Sequence, residues 1–278
     1  MASIEKVEEI QIDNAIFDSI CDCTYVLLCI KNENRLNSVK KNIEILKPTK
    51  NVKLIFSKGY KLNPNATKPN QDLYLSQIYI FDDAIKNNYE RILFLEDDFF
   101  LRQPLTSHQI TSINQFLKKN NPSLYSLGSF IWPTPLSYLQ QHHNAINNRI
   151  GCTHALFYNK DAMEIIGSFF KNNSDNIDIT IDSGLIYIKK KLIISRYYKP
   201  LVYQLFTDTD NKKLGWDQCG YFFQCYIIKL SIKLFSMYEK EEPGWNVWYI
   251  FPLILYIIIL IIIILILIKI LKKRNSLA

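Results

Sequence analysis

The stretch Arg91-Ile92-Leu93-Phe94-Leu95-Glu96-Asp97-Asp98-Phe99 decides the reading of this chain. Four apolar residues, Ile92 to Leu95, run without alternation into three carboxylates. An unbroken apolar run of this length predicts a strand buried on both faces, as found inside parallel sheets. In such sheets ligands bind outside the carboxyl ends of the strands. Glu96, Asp97 and Asp98 stand at that end. Adjacent anions repel one another, so a positive partner is expected there, and a hard divalent cation with oxygen ligands is the economical choice because it can bridge to phosphate. The alternative is a strand that ends in a solvated acidic turn; burial and placement together favour the metal.

Working outward, strands and helices alternate. Tyr25 to Ile30 is a strand, broken by Lys31 to Asn34. Arg35 to Leu46 carries Leu36, Val39, Ile43 and Leu46 at helical spacing and ends at Lys47-Pro48. Val52 to Phe56 is a second strand. Residues 57–71 form a polar loop, and Leu73 to Ile85 is a helix with Leu73, Ile78, Phe81 and Ile85 inward. The acidic strand follows. This order predicts an α/β fold, a mainly parallel sheet flanked by helices and joined by right-handed crossovers. Thr106 to Lys119 is a further helix, with Thr106 or Ser107 as cap. Leu124 to Phe130 is a short strand, and Trp132-Pro133-Thr134-Pro135 a rigid turn. His142 and His143 read as a polar surface loop rather than a ligand pair. Thr153 to Tyr158 is a strand and Lys160 to Phe170 a helix. His154 reads as a core or hydrogen-bonded histidine in preference to a metal ligand. Leu192 to Ser195 and Leu201 to Leu205 are short strands. Residues 1–23, of mixed polarity, suggest an added helix as an N-terminal extension.

The chain has 278 residues and a formal charge of +7, of which Lys269, Lys272, Lys273 and Arg274 supply four, leaving +3 for the remainder. A body so near neutrality argues against a nucleic-acid partner. The six cysteines form no C-x-x-C pair and no zinc spacing, and read as buried free thiols. No export signal is evident in the first 20 residues, which carry five acids. Tyr249 to Ile268 holds no charge, and a helix of about 20 apolar residues spans a bilayer core. Trp245, Trp248 and Tyr249 would belt one end and the basic tail anchor the other. The division expected is an extension to residue 23, a main domain over 24–215, an amphipathic juxtamembrane helix over 216–244, a membrane span over 245–268 and a basic tail over 269–278. Positive charge after the span favours a cytosolic tail, whereas the long preceding domain without a leader favours a tail anchor. The second consideration is taken as the larger, so the main domain is expected in the cytosol and only the tail across the membrane.

Three segments together resemble a known family. Tyr25 to Lys41, beginning Tyr-Val-Leu-Leu-Cys-Ile-Lys-Asn-Glu-Asn-Arg, is similar to the opening of family 25 of the glycosyltransferases, the lipopolysaccharide galactosyltransferase-like group. Ile92 to Phe99 resembles its apolar strand ending in Glu-Asp-Asp. Gly151-Cys-Thr-His-Ala-Leu-Phe-Tyr-Asn-Lys-Asp-Ala-Met163 resembles its later strand and helix. Similar proteins occur in large DNA viruses. The resemblance covers roughly residues 24 to 215. It implies a GT-A fold, a nucleotide-sugar donor, a glycan, lipid or protein acceptor, and a divalent metal, usually manganese, with magnesium as the other choice. Asn32 and Arg35 in the first turn would then contact the donor.

The chemistry fits beside the resemblance. Glycosyl transfer leaves negative charge on a diphosphate, and a cation held by Glu96 and Asp98 would stabilise it. Asp97 would reach the donor ribose. If the anomeric carbon inverts, a carboxylate must take the acceptor proton. Asp178 and Asp182 are the candidates, with Asp182 ahead because Gly184 allows close approach; an ordinary solvated face explains either alone equally well. Two other classes stand against the enzyme. One is a non-enzymatic membrane or virion protein on a degenerate transferase fold. The other, a haloacid-dehalogenase-like phosphatase, needs an Asp-x-Asp nucleophile motif that Phe99-Phe100-Leu101 does not continue. Asn65-Ala-Thr67 and Asn172-Asn-Ser174 match the N-glycosylation pattern, which matters only with lumenal exposure.

Overall fold

A computed structural model describes residues 4–29, 33–128, 141–144, 153–173, 192–198, 200–204 and 244–275 of the chain. In chain order the elements are β1 (Ile4–Gln11), β2 (Cys23–Cys29), α1 (Glu33–Leu46), β3 (Asn51–Ser57), α2 (Pro69–Lys86), β4 (Arg91–Glu96) and β5 (Phe99–Phe100). Then come α3 (Ser107–Asn120), β6 (Leu124–Ser126), β7 (His142–Asn144), β8 (Ala155–Asn159), α4 (Lys160–Asn172), β9 (Ile194–Tyr197), β10 (Tyr203–Gln204) and α5 (Gly244–Asn275).

Eight strands form one sheet in the order β1-β3-β2-β4-β8-β6-β9-β7, and β5 pairs with β10 in a separate two-stranded ribbon. The α/β architecture and the flanking helices are as expected. Parallel pairing holds at β3-β2-β4, where each crossover is helical, and again at β6-β9. The remaining pairs, β1-β3, β4-β8, β8-β6 and β9-β7, are antiparallel, so the sheet is mixed. A parallel neighbour needs a long crossover, usually a helix, as α1 and α2 supply between β2, β3 and β4.

The central run of β4 is buried on both faces, with Ile92, Leu93, Phe94 and Leu95 all at 0 % exposure. Leu93 and Leu95 pack with Val39 and Ile43 of α1 and Ile113 and Leu117 of α3. Ile92 and Phe94 face the other way, onto Phe81 and Ala84 of α2 and Ala162, Met163 and Ile166 of α4. Successive strand residues point to opposite faces, so two helical layers demand two apolar sets, and the absence of alternation follows. Each such fully buried side chain contributes about 1.5–3 kcal/mol by removal from water.

Several expectations are corrected. The N-terminal extension is no helix: Ile4–Gln11 is an edge strand, antiparallel to β3, with an irregularity between Ile4 and Lys6. The unpaired edge of β3 overrides the weak local pattern, and the outer edge is blunted by Lys6 and Glu8, which pair with each other. The His142-His143 pair lies in strand β7, not a surface loop. His142 stacks on Phe116 at 4.3 Å and takes hydrogen bonds of 2.8 and 2.7 Å with Tyr125 Oη and Ser112 Oγ. In α2 the buried face is carried by Tyr74, Gln77, Ile80, Phe81 and Ala84, while Leu73, Ile78 and Ile85 lie at its margin. Pro69 in the first turn starts this helix earlier than its apolar pattern does. Helix α3 begins as read, with Thr106 and Gln109 forming a reciprocal capping box.

Cys21 and Cys23 are buried free thiols. Helix α5 is 32 residues, about 48 Å of helix. None of its Leu253–Lys272 stretch is buried in the protein, and it is long and apolar enough to cross a membrane. The juxtamembrane segment 216–243 lies outside the described residues.

Candidate functional site

The β4 strand delivers its acids one by one to different partners. Glu96 is still in the strand, opposite Leu27 of β2. Its backbone N–H donates to His154 C=O at 3.0 Å, and its Oε1 accepts the Thr153 hydroxyl at 2.6 Å. Both contacts come from the chain entering β8, which the antiparallel β4-β8 register brings alongside. Nothing local in the sequence links residues 96 and 153; only the register does.

Asp97 turns away from the strand and pairs with Arg35, whose Nη1 lies 2.7 Å from each carboxylate oxygen. The two side chains are 17 % and 14 % exposed. Arg35 stands in the first turns of α1, just past the end of β2, so the expected first-turn arginine does reach the acidic turn. Two residues read as donor contacts thus hold each other. Asn32, the third, lies outside the described residues, as do Asp178 and Asp182.

Asp98 differs from both. It is 9 % exposed, and its Oδ2 accepts from Gln204 Nε2 at 2.9 Å. Its Oδ1 is buried with no hydrogen-bond partner. Burial, reinforced by the neighbouring Asp97 charge, pushes the Asp98 carboxyl up to about 7; the Gln204 hydrogen bond and the Arg35 charge oppose the rise without cancelling it. A buried carboxylate oxygen left bare is costly, and a cation there would relieve both the bare oxygen and the repulsion.

His154 is a core histidine, as read, at 2 % exposure. Its Nε2 lies 3.0 Å from Val202 C=O. A carbonyl only accepts, so Nε2 carries the proton and Nδ1 is an acceptor. Burial holds this histidine neutral, its pKa down to about 4. Nδ1 has no partner, a cost of about 1–3 kcal/mol. Gly128 lies directly beneath the ring: a Cβ there would come within 2.0 Å of His154 Nε2 and 2.5 Å of Val202 O.

The fit to a divalent cation can be judged from these groups. The donor set is two carboxylates, Glu96 and Asp98, which suits a hard ion. Among the described residues no three His, Cys, Asp or Glu side chains converge into a ready-made site. An ion here would therefore have to be held by one or two carboxylates and completed by ligand phosphates, the manner common for magnesium, and not by a closed protein cage.

A cleft of about 390 Å³ opens at the opposite end of β4, lined by residues including Asp18, Asp22, Arg91 and Lys118. Asp18, Asp22 and Arg91 are already engaged in holding the fold. Asp18 Oδ1 accepts from the Lys50 amide at 2.6 Å, and Asp22 Oδ2 from the amides of Glu90 and Arg91 at 2.7 and 3.0 Å. Arg91 donates to Ile20 C=O and to Asn121 Oδ1. The cleft lies at the wrong end of the parallel strands for the chemistry expected of β4.

Sequence reasoning missed Thr153 and Gln204, the partners that hold Glu96 and Asp98. Thr153 is one ordinary hydroxyl before a strand, and Gln204 lies 106 positions from its partner, so neither carries a local signal.

No family model matches the sequence, and no curated protein matches it. Among solved structures, a glycosyltransferase involved in the glycosylation of the major capsid of PBCV-1 aligns with a TM-score of 0.42 at 12 % identity, covering 69 % of this chain and 96 % of its own. The protein A197 from STIV aligns with a TM-score of 0.35 at 10 % identity, covering 65 % of this chain and 82 % of its own.

Proposed function

We propose that this chain is a membrane-anchored, metal-dependent glycosyltransferase of GT-A type that uses a nucleotide-diphosphate sugar. The observation that carries the reading is Asp98: a buried carboxylate at the carboxyl end of a central strand, with one oxygen fixed and the other bare. Glu96 and Asp98 would hold a manganese or magnesium ion, which when bound supplies positive charge to the diphosphate leaving group. Arg35 keeps Asp97 in place and tempers the repulsion within the triplet. Released from Arg35 by a bound donor, Asp97 would meet the ribose. Asp182, or failing that Asp178, would take the acceptor proton. The motif order of glycosyltransferase family 25, quoted above, supports the same reading.

The membrane is the second partner. Leu253–Lys272 offers an exposed apolar helix of 20 residues, and with it as a tail anchor the main domain would face the cytosol. Cys21 and Cys23, buried and unpaired, suit a reducing compartment. Protease added to sealed microsomes should digest the main domain and spare the tail. Protection of that domain, or a glycan on the exposed Asn65 or Asn172, would reverse the orientation.

The function is tested by calorimetry on the full-length protein in detergent, with Mn²⁺ and a panel of nucleoside-diphosphate sugars. Binding of at least one donor that requires Mn²⁺ and is lost in Asp98→Asn is the expected result. A non-enzymatic membrane protein on the same fold is the rival reading, favoured by the mutual neutralisation of Arg35 and Asp97. Absence of donor binding across the panel would establish it in place of the enzyme.

A further inference from the structure

We propose that Gln204 is a positioning residue for Asp98, delivered by a short strap, Leu201 to Gln204, that His154 anchors to the sheet. The proposal rests on the reading of Asp98 as a cation ligand.

The strap is tied at three points. At its start, the amides of Leu201 and Val202 both donate to Leu127 C=O, at 2.7 and 3.2 Å, just beyond the end of β6. In its middle, Val202 C=O accepts from His154 Nε2 at 3.0 Å. At its end, Tyr203 and Gln204 pair antiparallel with Phe100 and Phe99, immediately after the acidic turn. The Phe100 and Tyr203 rings lie 5.4 Å apart, and the Arg102 guanidinium sits 4.8 Å from the Tyr203 ring centre.

The outcome is one bond that matters to the site: Gln204 Nε2 to Asp98 Oδ2 at 2.9 Å. With Oδ2 held, the carboxylate cannot rotate freely, and Oδ1 keeps one direction. A two-residue ribbon is too short to fix a side chain by itself, since even complete isolated hairpins are marginal in water. The deeper tie supplies what the ribbon lacks. Val202 is fully buried, and the bare Cα of Gly128 lies against both ends of the hydrogen bond, the His154 Nε2 and the Val202 oxygen. Only glycine leaves room there for the His154–Val202 hydrogen bond. The same register that puts Thr153 on Glu96 puts His154 beneath the strap, so the two acids read as metal ligands are oriented by neighbouring residues of one segment.

Partners that orient ligating carboxylates change metal affinity by about 10–100-fold when removed. The test is Mn²⁺ affinity of the full-length protein in detergent, read by electron paramagnetic resonance with Mn²⁺ alone. Gln204→Met keeps the length and removes the donor; it should weaken Mn²⁺ by at least about tenfold while moving the unfolding midpoint by no more than about 2 °C. Gly128→Ala, which forces His154 and Val202 apart, should reproduce the loss with wild-type Gln204 in place. In an Asp98→Asn background, Gln204→Met should add nothing. If Asp98→Asn abolishes Mn²⁺ binding but Gln204→Met binds as the parent does, the strap has no positioning role and the cation reading stands. If Asp98→Asn itself binds Mn²⁺ unchanged, both fall.

Discussion

The loop after β3 and the turn after β4 each bury an aspartate near the carboxyl end of a parallel strand, yet they treat it in opposite ways. Asp72 is 7 % exposed and Asp98 9 %. Asp72 has both oxygens satisfied, one by Ser57 Oγ at 2.9 Å and the other by Asn63 Nδ2 at 2.6 Å. Ser57 and Asn63 are also fixed: the Gly59 amide donates to Ser57 Oγ and the Asn65 amide to Asn63 Oδ1. This is a closed polar network that ties a loop to the start of α2. Asp98 has one oxygen satisfied and one bare, beside a second carboxylate. Closed networks specify structure, whereas a half-satisfied one is a liability unless something else completes it. The pair shows that burial alone does not set the two aspartates apart; the unfilled oxygen of Asp98 does.

The comparison breaks most decisively by mutation of the two acids. Asp98→Asn should lower metal-dependent turnover by at least about 100-fold with the fold intact. Asp72→Ala should leave Mn²⁺ affinity unchanged and instead destabilise the protein by about 2–4 kcal/mol, because a hydroxyl and an amide lose their buried acceptor. Metal titration and denaturant unfolding of both variants separate the roles; equal effects on Mn²⁺ from both would erase the distinction.

The next effect is pH. Asp98 in the folded protein titrates near 7, against an ordinary value of 3.8. A carboxyl raised on folding binds its proton more tightly in the folded state, so metal-free stability should rise as pH falls from about 7 towards 4, by on the order of 2–4 kcal/mol. Asp83 works in the opposite sense. Burial would raise it, but hydrogen bonds from Lys53 and Tyr25, at 2.7 and 2.6 Å, hold it below its usual range. Its contribution is present above that range and is lost on further acidification. Unfolding measured from pH 8 to 3 should therefore pass through a maximum. Asp98→Asn should remove the rise on acidification and keep the loss at low pH.

Arg35→Gln sharpens the comparison on a smaller scale. It strips the two contacts from Asp97 at a cost of about 1–2 kcal/mol, and it removes a charge that holds Asp98 down. The pH at which Asp98 titrates should move upward, visible as a displaced stability profile; an unmoved profile would mean the two acids are not electrostatically linked. The smallest effect belongs to Thr106→Ala, which dismantles the α3 capping box for about 1 kcal/mol and should leave Mn²⁺ binding as it was.

Much of the fold was legible locally. The unbroken run Ile92 to Leu95 announced a strand covered on both faces, the Thr106 cap started its helix, and β2, α1, β3, α2, β4 followed in the order read. What failed was partner choice. The edge strand Ile4–Gln11 has no strong pattern of its own and exists because β3 offers an edge. His142 was legible as polar but not as the filling of a slot between Phe116 and Tyr197, because those rings come from distant parts of the chain.

The sequence by itself determined which residues carry charge, where the chain turns, and that three acids end a buried strand; these follow from composition and periodicity, which act over neighbouring residues. It likewise determined an apolar C-terminal helix long enough for a bilayer, since length and hydropathy need no partner. Only the tertiary structure decided how the three acids differ. Thr153, Arg35 and Gln204 reach Glu96, Asp97 and Asp98 from separate elements, through an antiparallel register and a four-residue strap. Hydrogen bonds depend on position to within a few tenths of an ångström, and no local pattern encodes which distant donor arrives at which carboxylate.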